Sequence, residues 1–175
     1  KNTIKGSKKN IEAHYDLGNQ LFETFLDPTL MYSSALFADD TNDLHSASLE
    51  KLDHICRKLH LEPTDHVLEI GTGWGGFAIH AADHYGCRVT TTTISEEQYE
   101  HALRLVKERN LEDRVTVLKQ DYRDLTGQYD KLVSIEMIEA VGHHYLDTYV
   151  NTLPAPLNHT GFALIPALTI FAQRY

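Results

Sequence analysis

The sequence predicts a doubly wound α/β domain with a mostly parallel sheet and an α-helical amino-terminal extension. Three observations carry this. From His66 onward, short β-branched runs alternate with helical patterns, an order that produces right-handed crossovers and a sheet covered on both faces. The first of those runs opens directly into a glycine-rich turn, and the residues before Pro63 show only helical spacing. At 175 residues and 42% hydrophobic content, the chain has the length of one domain and enough apolar material for a sizeable core.

Residues 10–25 place Ile11, His14, Tyr15, Leu17, Leu21, Phe22 and Phe25 mostly three and four apart, which predicts an amphipathic helix, interrupted at Gly18 and ended before Pro28. A loop follows with Met31, Tyr32, Ser33, Ser34 and Phe37. Residues 44–61 return to helical spacing through Leu49, Leu52, Ile55, Cys56 and Leu59, with Pro63 as the stop. Then come a strand in "VLEI", a helix over 75–85, a strand over 87–93 and a helix over 95–109, whose Ser95 and Gln98 fit a capping box. Strands at 115–118 and 131–135, a helix at 145–153 and a strand at 162–170, interrupted by Pro166, complete the alternation. No repeat, low-complexity tract or interdomain linker is visible.

A formal charge of −9 argues against nucleic-acid binding, because neutralising phosphates requires a basic face. The one basic cluster, Lys1, Lys5, Lys8 and Lys9, is either a solvated tail or a contact for anionic lipid headgroups. Cys56 and Cys87 fall in apolar patterns, which predicts buried thiols in a reducing compartment and so a cytoplasmic protein. With no apolar run long enough to span a bilayer and no signal-peptide pattern, membrane contact is expected to be peripheral.

In "HVLEIGTGWGGFAIHAA" the turn after the first strand holds Gly71, Gly73, Trp74 and Gly75, where missing Cβ atoms let a ligand lie against backbone. Gly71, Gly73 and Gly76 also satisfy G-x-G-x-x-G, a weak signal alone. Two features oppose a nicotinamide cofactor. The second strand ends in Thr90, Thr91, Thr92 and Thr93 where a ribose-binding acid is expected. Glu69, two residues before the first glycine, would repel a phosphate and attract a cation. The expected ligand is therefore S-adenosylmethionine, which lacks phosphate and carries an ammonium and a sulfonium.

"AHYDLGNQLFETFLDPTLMYSSALF", "VLEIGTGWGGFAIHAA", "TTTISEEQ", "DYRDL" and "SIEMIEAVGHHYLDTY" together resemble the cyclopropane fatty-acid synthase family, which includes the mycolic-acid methyltransferases, over nearly the whole chain from Asn10. The resemblance implies a Rossmann-like class I methyltransferase fold. It divides the one structural domain into a helical cap, residues 1–62, contributing to the cofactor and acceptor sites, and an S-adenosylmethionine-binding core, residues 63–175. It implies donor contacts by Tyr32 and Ser33 over the methionine part, Gly71 and Gly73 below it, Thr93 and Gln98 at the ribose, and Tyr122 and Arg123 at the adenine. Without the family, Tyr32 reads as a core aromatic and Gln98 as a helix cap.

The implied reaction is transfer from the sulfonium to a cis double bond of a phospholipid acyl chain. Loss of a proton from the resulting carbocation closes a cyclopropane, and a different fate gives a methyl branch. Tyr15, Phe22, Phe25 and Tyr32 are candidate aromatic faces for that cation, with apolar packing favoured for both phenylalanines. In related enzymes the base is a bicarbonate held by Glu, Cys, His and Tyr. Glu139 matches the glutamate, Ser34 stands where the Cys is expected, Pro166 stands where the His is expected, and the Tyr would lie beyond Tyr175. Glu139 and Ser34 are thus the candidate catalytic residues, Ser34 as a hydrogen-bond donor to an anion.

Family members continue past Tyr175, so the chain reads as truncated, with an uncovered sheet edge and apolar surface favouring a homo-oligomer. His80 and His84, four apart, lack a third ligand, and no metal is expected. Either His143 or His144 is expected to face the acceptor; Glu136, Asp121 and Asp124 read as locally hydrogen-bonded and solvated, with Asp121 alone facing the donor site. Rival readings are methylation of a soluble small molecule and a non-catalytic donor- or lipid-binding module.

Overall fold

The computed structural model describes residues 22, 24–39, 43–153 and 155–168. The helix predicted over 10–25 lies outside these except at Phe22, Thr24 and Phe25, which are helical. The lysine cluster, Tyr15 and Tyr175 also lie outside them.

Helix α1, Leu44–Lys58, begins where Asp43 Oδ1 accepts the Ser46 N–H at 2.7 Å, satisfying one of the free amides of the first turn. Arg57 and Lys58 sit in its last turn, where cations complement the helix dipole. Strand β1, His66–Ile70, leads through the glycine turn into helix α2, Gly76–Tyr85, then strand β2, Arg88–Thr93, and helix α3, Glu96–Glu108. Strand β3, Val115–Lys119, precedes a single 3₁₀ turn, Tyr122–Asp124, which Asp121 caps by accepting the Arg123 N–H at 3.0 Å. Strand β4, Tyr129–Val133, helix α4, Ile138–Val141, helix α5, Leu146–Thr152, and strand β5, Leu157–Leu164, follow.

The five strands are all parallel in the order β3-β2-β1-β4-β5. The winding reverses between β1 and β4, which opens a crevice beyond their carboxyl ends. Neighbouring residues on β1 serve opposite faces: Val67 packs with Leu52, Phe77 and Val106, whereas Leu68 packs with Leu132, Tyr149 and Leu153. Leu52, Leu68 and Leu132 are fully buried, each contributing on the order of 2 kcal/mol of apolar transfer. Cys56 and Cys87 are buried and unbridged, as predicted.

Two strand positions differ from the sequence expectation. β4 begins at Tyr129, whose N–H donates to the Pro156 carbonyl at 2.8 Å, and ends at Val133 instead of spanning 131–135. Beyond Val133 the pairing thins to the Ser134 N–H on the Leu164 carbonyl at 3.2 Å and the Glu136 N–H on the Pro166 carbonyl at 2.9 Å, and Glu136 takes φ +49°. β5 starts five residues before the predicted 162, on the polar run Asn158, His159, Thr160 and Gly161. It is an edge strand with a register shift opposite Tyr129 and Lys131, a setting that tolerates polar residues, and it ends before Pro166. The capping box of α3 is half formed: Ser95 Oγ accepts the Gln98 N–H, but the Ser95 N–H goes to Thr93 Oγ1 at 3.1 Å. Helix α4 was not expected from the sequence.

Candidate functional site

A cavity of about 620 Å³ fills the crevice, walled by the carboxyl ends of β1, β2 and β4 and by the segment from Leu30 to Ser33. That volume suits a nucleoside-sized ligand. Of the residues expected from sequence, Tyr32, Ser33, Glu69, Gly71, Gly73, Trp74, Thr93, Gln98, Tyr122, Arg123 and Glu139 line it. Gly75 and Ser34 do not.

Gly75 instead caps α2 at φ +95°, and a Cβ there would meet Ala102 Cβ at 3.4 Å, so it shapes the turn behind the cavity. Gly73, at φ +53°, has nothing within 4 Å of a Cβ position and borders the cavity, which leaves its backbone open to a ligand. The N–H groups of Gly71 and Thr72 both donate to the Thr92 carbonyl, at 3.1 and 3.0 Å, and pin the turn to β2.

Glu69 closes the cavity from below. It is 2% exposed, and its Oε2 accepts the Thr91 hydroxyl at 2.6 Å. Burial pushes its carboxyl up to about 8, the Thr91 hydrogen bond opposing. At neutral pH the group is therefore largely neutral in the free protein, a refinement of the carboxylate expected from sequence. Thr93 donates to Gln98 Oε1 at 2.8 Å, which fixes that side chain and leaves its NH₂ for another acceptor. Arg123 grips Asp121 through Nε at 2.8 Å and Nη2 at 2.5 Å, and Tyr122 packs edge-on against Tyr149 at 5.5 Å. The Arg123 hydrogen bonds hold the Asp121 carboxyl below its ordinary value, burial opposing.

The segment over the cavity is tied down at Asp27, which accepts the Thr29 N–H at 3.0 Å, the Thr29 hydroxyl at 2.8 Å and contacts His45 Nδ1 at 2.8 Å. Tyr32 stands edge-on to Phe22 at 5.3 Å and to Trp74 at 6.5 Å. Phe22 is buried against Trp74 at 4.5 Å, the packing role expected of it, whereas Phe25 touches Phe22 at 5.7 Å but is 51% exposed, so the core packing expected of it is not found.

Two functional positions escaped the sequence reading. Glu136, expected to be solvated, is a cavity wall, and Lys51 of α1 reaches it with Nζ–Oε1 at 2.6 Å while also donating to Ser33 Oγ at 2.7 Å. Ser34 donates to the same carboxylate through its hydroxyl, 2.6 Å to Oε1, and its N–H, 3.0 Å to Oε2. Burial acts upward on Glu136, but the hydrogen bonds from Lys51 and Ser34 outweigh it and hold the carboxyl below its ordinary value. Lys51 was detectable as a lysine on the buried stripe Ala47, Lys51, Ile55. Glu139 lines the wall nearby and accepts the Leu168 N–H at 2.6 Å, and the Pro166 carbonyl accepts the Glu136 N–H at 2.9 Å. Among the described residues no cluster of three or more His, Cys, Asp or Glu is arranged to hold a metal.

Comparison with known proteins adds the family. The chain is 45% identical over 154 residues to the cyclopropane-fatty-acyl-phospholipid synthase of Escherichia coli K12, covering 88% of this chain and 39% of that protein. It is 39% identical to a probable fatty acid methyltransferase of Pseudomonas putida, over 91% of this chain and 41% of that one. A crystal structure of the mycolic acid cyclopropane synthase CmaA1 complexed with SAH and CTAB superposes with a TM-score of 0.86 at 33% identity, over 90% of this chain and 55% of that chain. The chain thus spans about half or less of the length of the proteins it matches. The family described as mycolic acid cyclopropane synthetase matches residues 2–175, and the chain belongs to it.

Proposed function

We propose that this chain provides the donor site of an S-adenosylmethionine-dependent enzyme that transfers a methyl or methylene group to the double bond of an unsaturated phospholipid acyl chain. The observation that carries the reading is the cavity at the sheet's switch point, with Glu69 buried at its floor and threonines, not an acid, at the end of β2. Support for the donor comes from CmaA1, solved with SAH, the demethylated donor. Support for the acceptor comes from the name of the Escherichia coli relative.

When bound, the donor supplies an electrophilic methyl on a sulfonium. Gly71 and Gly73 form the floor beneath it, and Glu69 ionises to face its cationic end. Thr93 and Gln98 hold the ribose, Tyr122 and Arg123 flank the adenine, and Tyr32, Ser33 and Trp74 cover the methionine part. An alkene is a weak nucleophile, so alignment and exclusion of water by this cover provide much of the acceleration. Residues 1–62 act as the cap and 63–175 as the core. In this reading the acceptor is reached from a membrane surface by peripheral contact; no helix among the described residues is long and apolar enough to cross a bilayer. A cytoplasmic location and a homo-oligomer belong to the same reading.

Glu139 lines the cavity, but the positions of Ser34 and Pro166 do not fit a bicarbonate. Both donors of Ser34 already serve Glu136, and Pro166 offers only a carbonyl, itself occupied by the Glu136 N–H. Mass spectrometry of lipids from cells expressing the full-length gene tests the function. Acyl chains heavier by a methylene or methyl support it, and an unchanged lipid profile contradicts it.

A further inference from the structure

We propose that Glu136 is the built-in base of the reaction, its carboxylate taking the proton that an external anion would otherwise remove. The proposal rests on the methyl-transfer reading above.

The carboxylate is held from three directions. Its Oε1 accepts Lys51 Nζ at 2.6 Å, Ser34 Oγ at 2.6 Å and the Ser34 N–H at 3.2 Å, which fills its lone pairs. Among the described residues Oε2 accepts only the Ser34 N–H, at 3.0 Å, which leaves it accepting capacity. The residue lines the same cavity as Glu69 and Gly71, and its side chain is 11% exposed, enclosed but not sealed from the cavity. Glu136 holds φ +49°, which costs a non-glycine residue roughly 1–2 kcal/mol, and its N–H is met by the Pro166 carbonyl at 2.9 Å. Lys51 keeps the group ionised and lowers its nucleophilicity, which disfavours capture of a carbocation as an ester. Ile135, Met137 and Val141 of the same wall are apolar and cannot capture it, while Glu139 on that wall accepts the Leu168 N–H at 2.6 Å.

In the step, the alkene π pair forms a C–C bond to the donor methyl as the C–S bond breaks, its electrons remaining on sulfur. The acyl chain becomes a carbocation. Glu136 Oε2 then takes a proton from the transferred methyl, and the C–H pair closes the third bond of the ring; Glu136 ends as a carboxylic acid and loses the proton to solvent. A proton beside a carbocation is so acidic that an ordinary carboxylate suffices, provided it is ionised and within reach.

The test uses the full-length enzyme with vesicles of dioleoyl phosphatidylglycerol, in buffer stripped of carbon dioxide and in buffer with added bicarbonate. Glu136→Gln keeps the shape and, through its one oxygen, the Ser34 hydroxyl contact, but not the Ser34 N–H bond to the second oxygen. The expected result is S-adenosylhomocysteine affinity within roughly twofold of wild type, kcat lower by about 100-fold or more, and no rescue by bicarbonate. Wild-type turnover should be the same in both buffers. Near-normal kcat in Glu136→Gln, or a bicarbonate requirement in wild type, overturns the proposal and reduces Glu136 to a latch. Absence of any methylated lipid from wild type instead overturns the reading on which it rests.

Discussion

Glu69 and Thr91 are register partners on β1 and β2, joined by a 2.6 Å hydrogen bond between two side chains that see almost no solvent. The Thr72 hydroxyl lies 2.7 Å from Thr91 Oγ1 and extends the chain of hydrogen bonds to the glycine turn. A carboxyl in such a place stays protonated until something positive arrives.

A proton should therefore leave on donor binding. With the free carboxyl pushed up to about 8, a cationic ligand favours its ionised form, so calorimetry of S-adenosylhomocysteine, which keeps the ammonium, should show a binding heat that varies with the buffer's ionisation enthalpy. In Glu69→Gln that variation should vanish. The same shift sets a stability slope: the group binds its proton more tightly folded than unfolded, so its contribution is full below its ordinary value of 4.5 and is lost as pH rises to about 8. Urea unfolding of Glu69→Gln should lack that decline.

His80 should act in the opposite sense. It is 7% exposed, neither ring nitrogen has a hydrogen-bond partner, His84 stacks on it at 4.4 Å, and Asp53 Oδ1 is 3.8 Å away. Burial, helped by the charge on His84 and opposed by Asp53 and Asp83, holds its imidazole below the ordinary 6.5. Its contribution is present above 6.5 and is lost as pH falls through the depressed value. His80→Leu should flatten the acid limb of the urea midpoint against pH, and an unchanged limb would remove His80 from this role.

Gly73→Ala and Gly75→Ala should separate binding from stability. At Gly73 a methyl enters the cavity and meets no protein atom, so affinity for S-adenosylhomocysteine should drop at least about 10-fold with a folding cost of about 1 kcal/mol. At Gly75 the methyl presses on Ala102, so about 1–3 kcal/mol of stability should be lost with affinity in the surviving folded protein nearly unchanged. Equal effects on affinity would contradict the assignment of these two glycines.

Lys51→Met leaves the Glu136 carboxylate enclosed without its cation and should cost about 3 kcal/mol in urea unfolding. Replacing both, Lys51→Met with Glu136→Leu, should recover most of that loss. A single variant as stable as wild type would mean the pair lies open to water.

The sequence made the sheet legible because β1, β2 and their glycine turn are buried and follow period rules without compromise. It missed the first half of β5 because an edge strand need not be apolar, as Asn158 and Thr160 demonstrate. The cavity floor and the Tyr122–Arg123 wall were visible as motifs. The Lys51–Glu136 pair was not, since its partners are 85 positions apart: Lys51 stands out on the apolar stripe of its helix, but nothing in the sequence names Glu136 as its partner until the fold brings α1 to the end of β4.

If the crevice between β1 and β4 takes a sulfonium nucleoside, calorimetric titration of the protein with S-adenosylhomocysteine should show saturable binding at one site per chain, unaffected by added NADH and weakened by Gly73→Ala. No heat with S-adenosylhomocysteine, or its displacement by NADH, would rule that ligand out of the crevice.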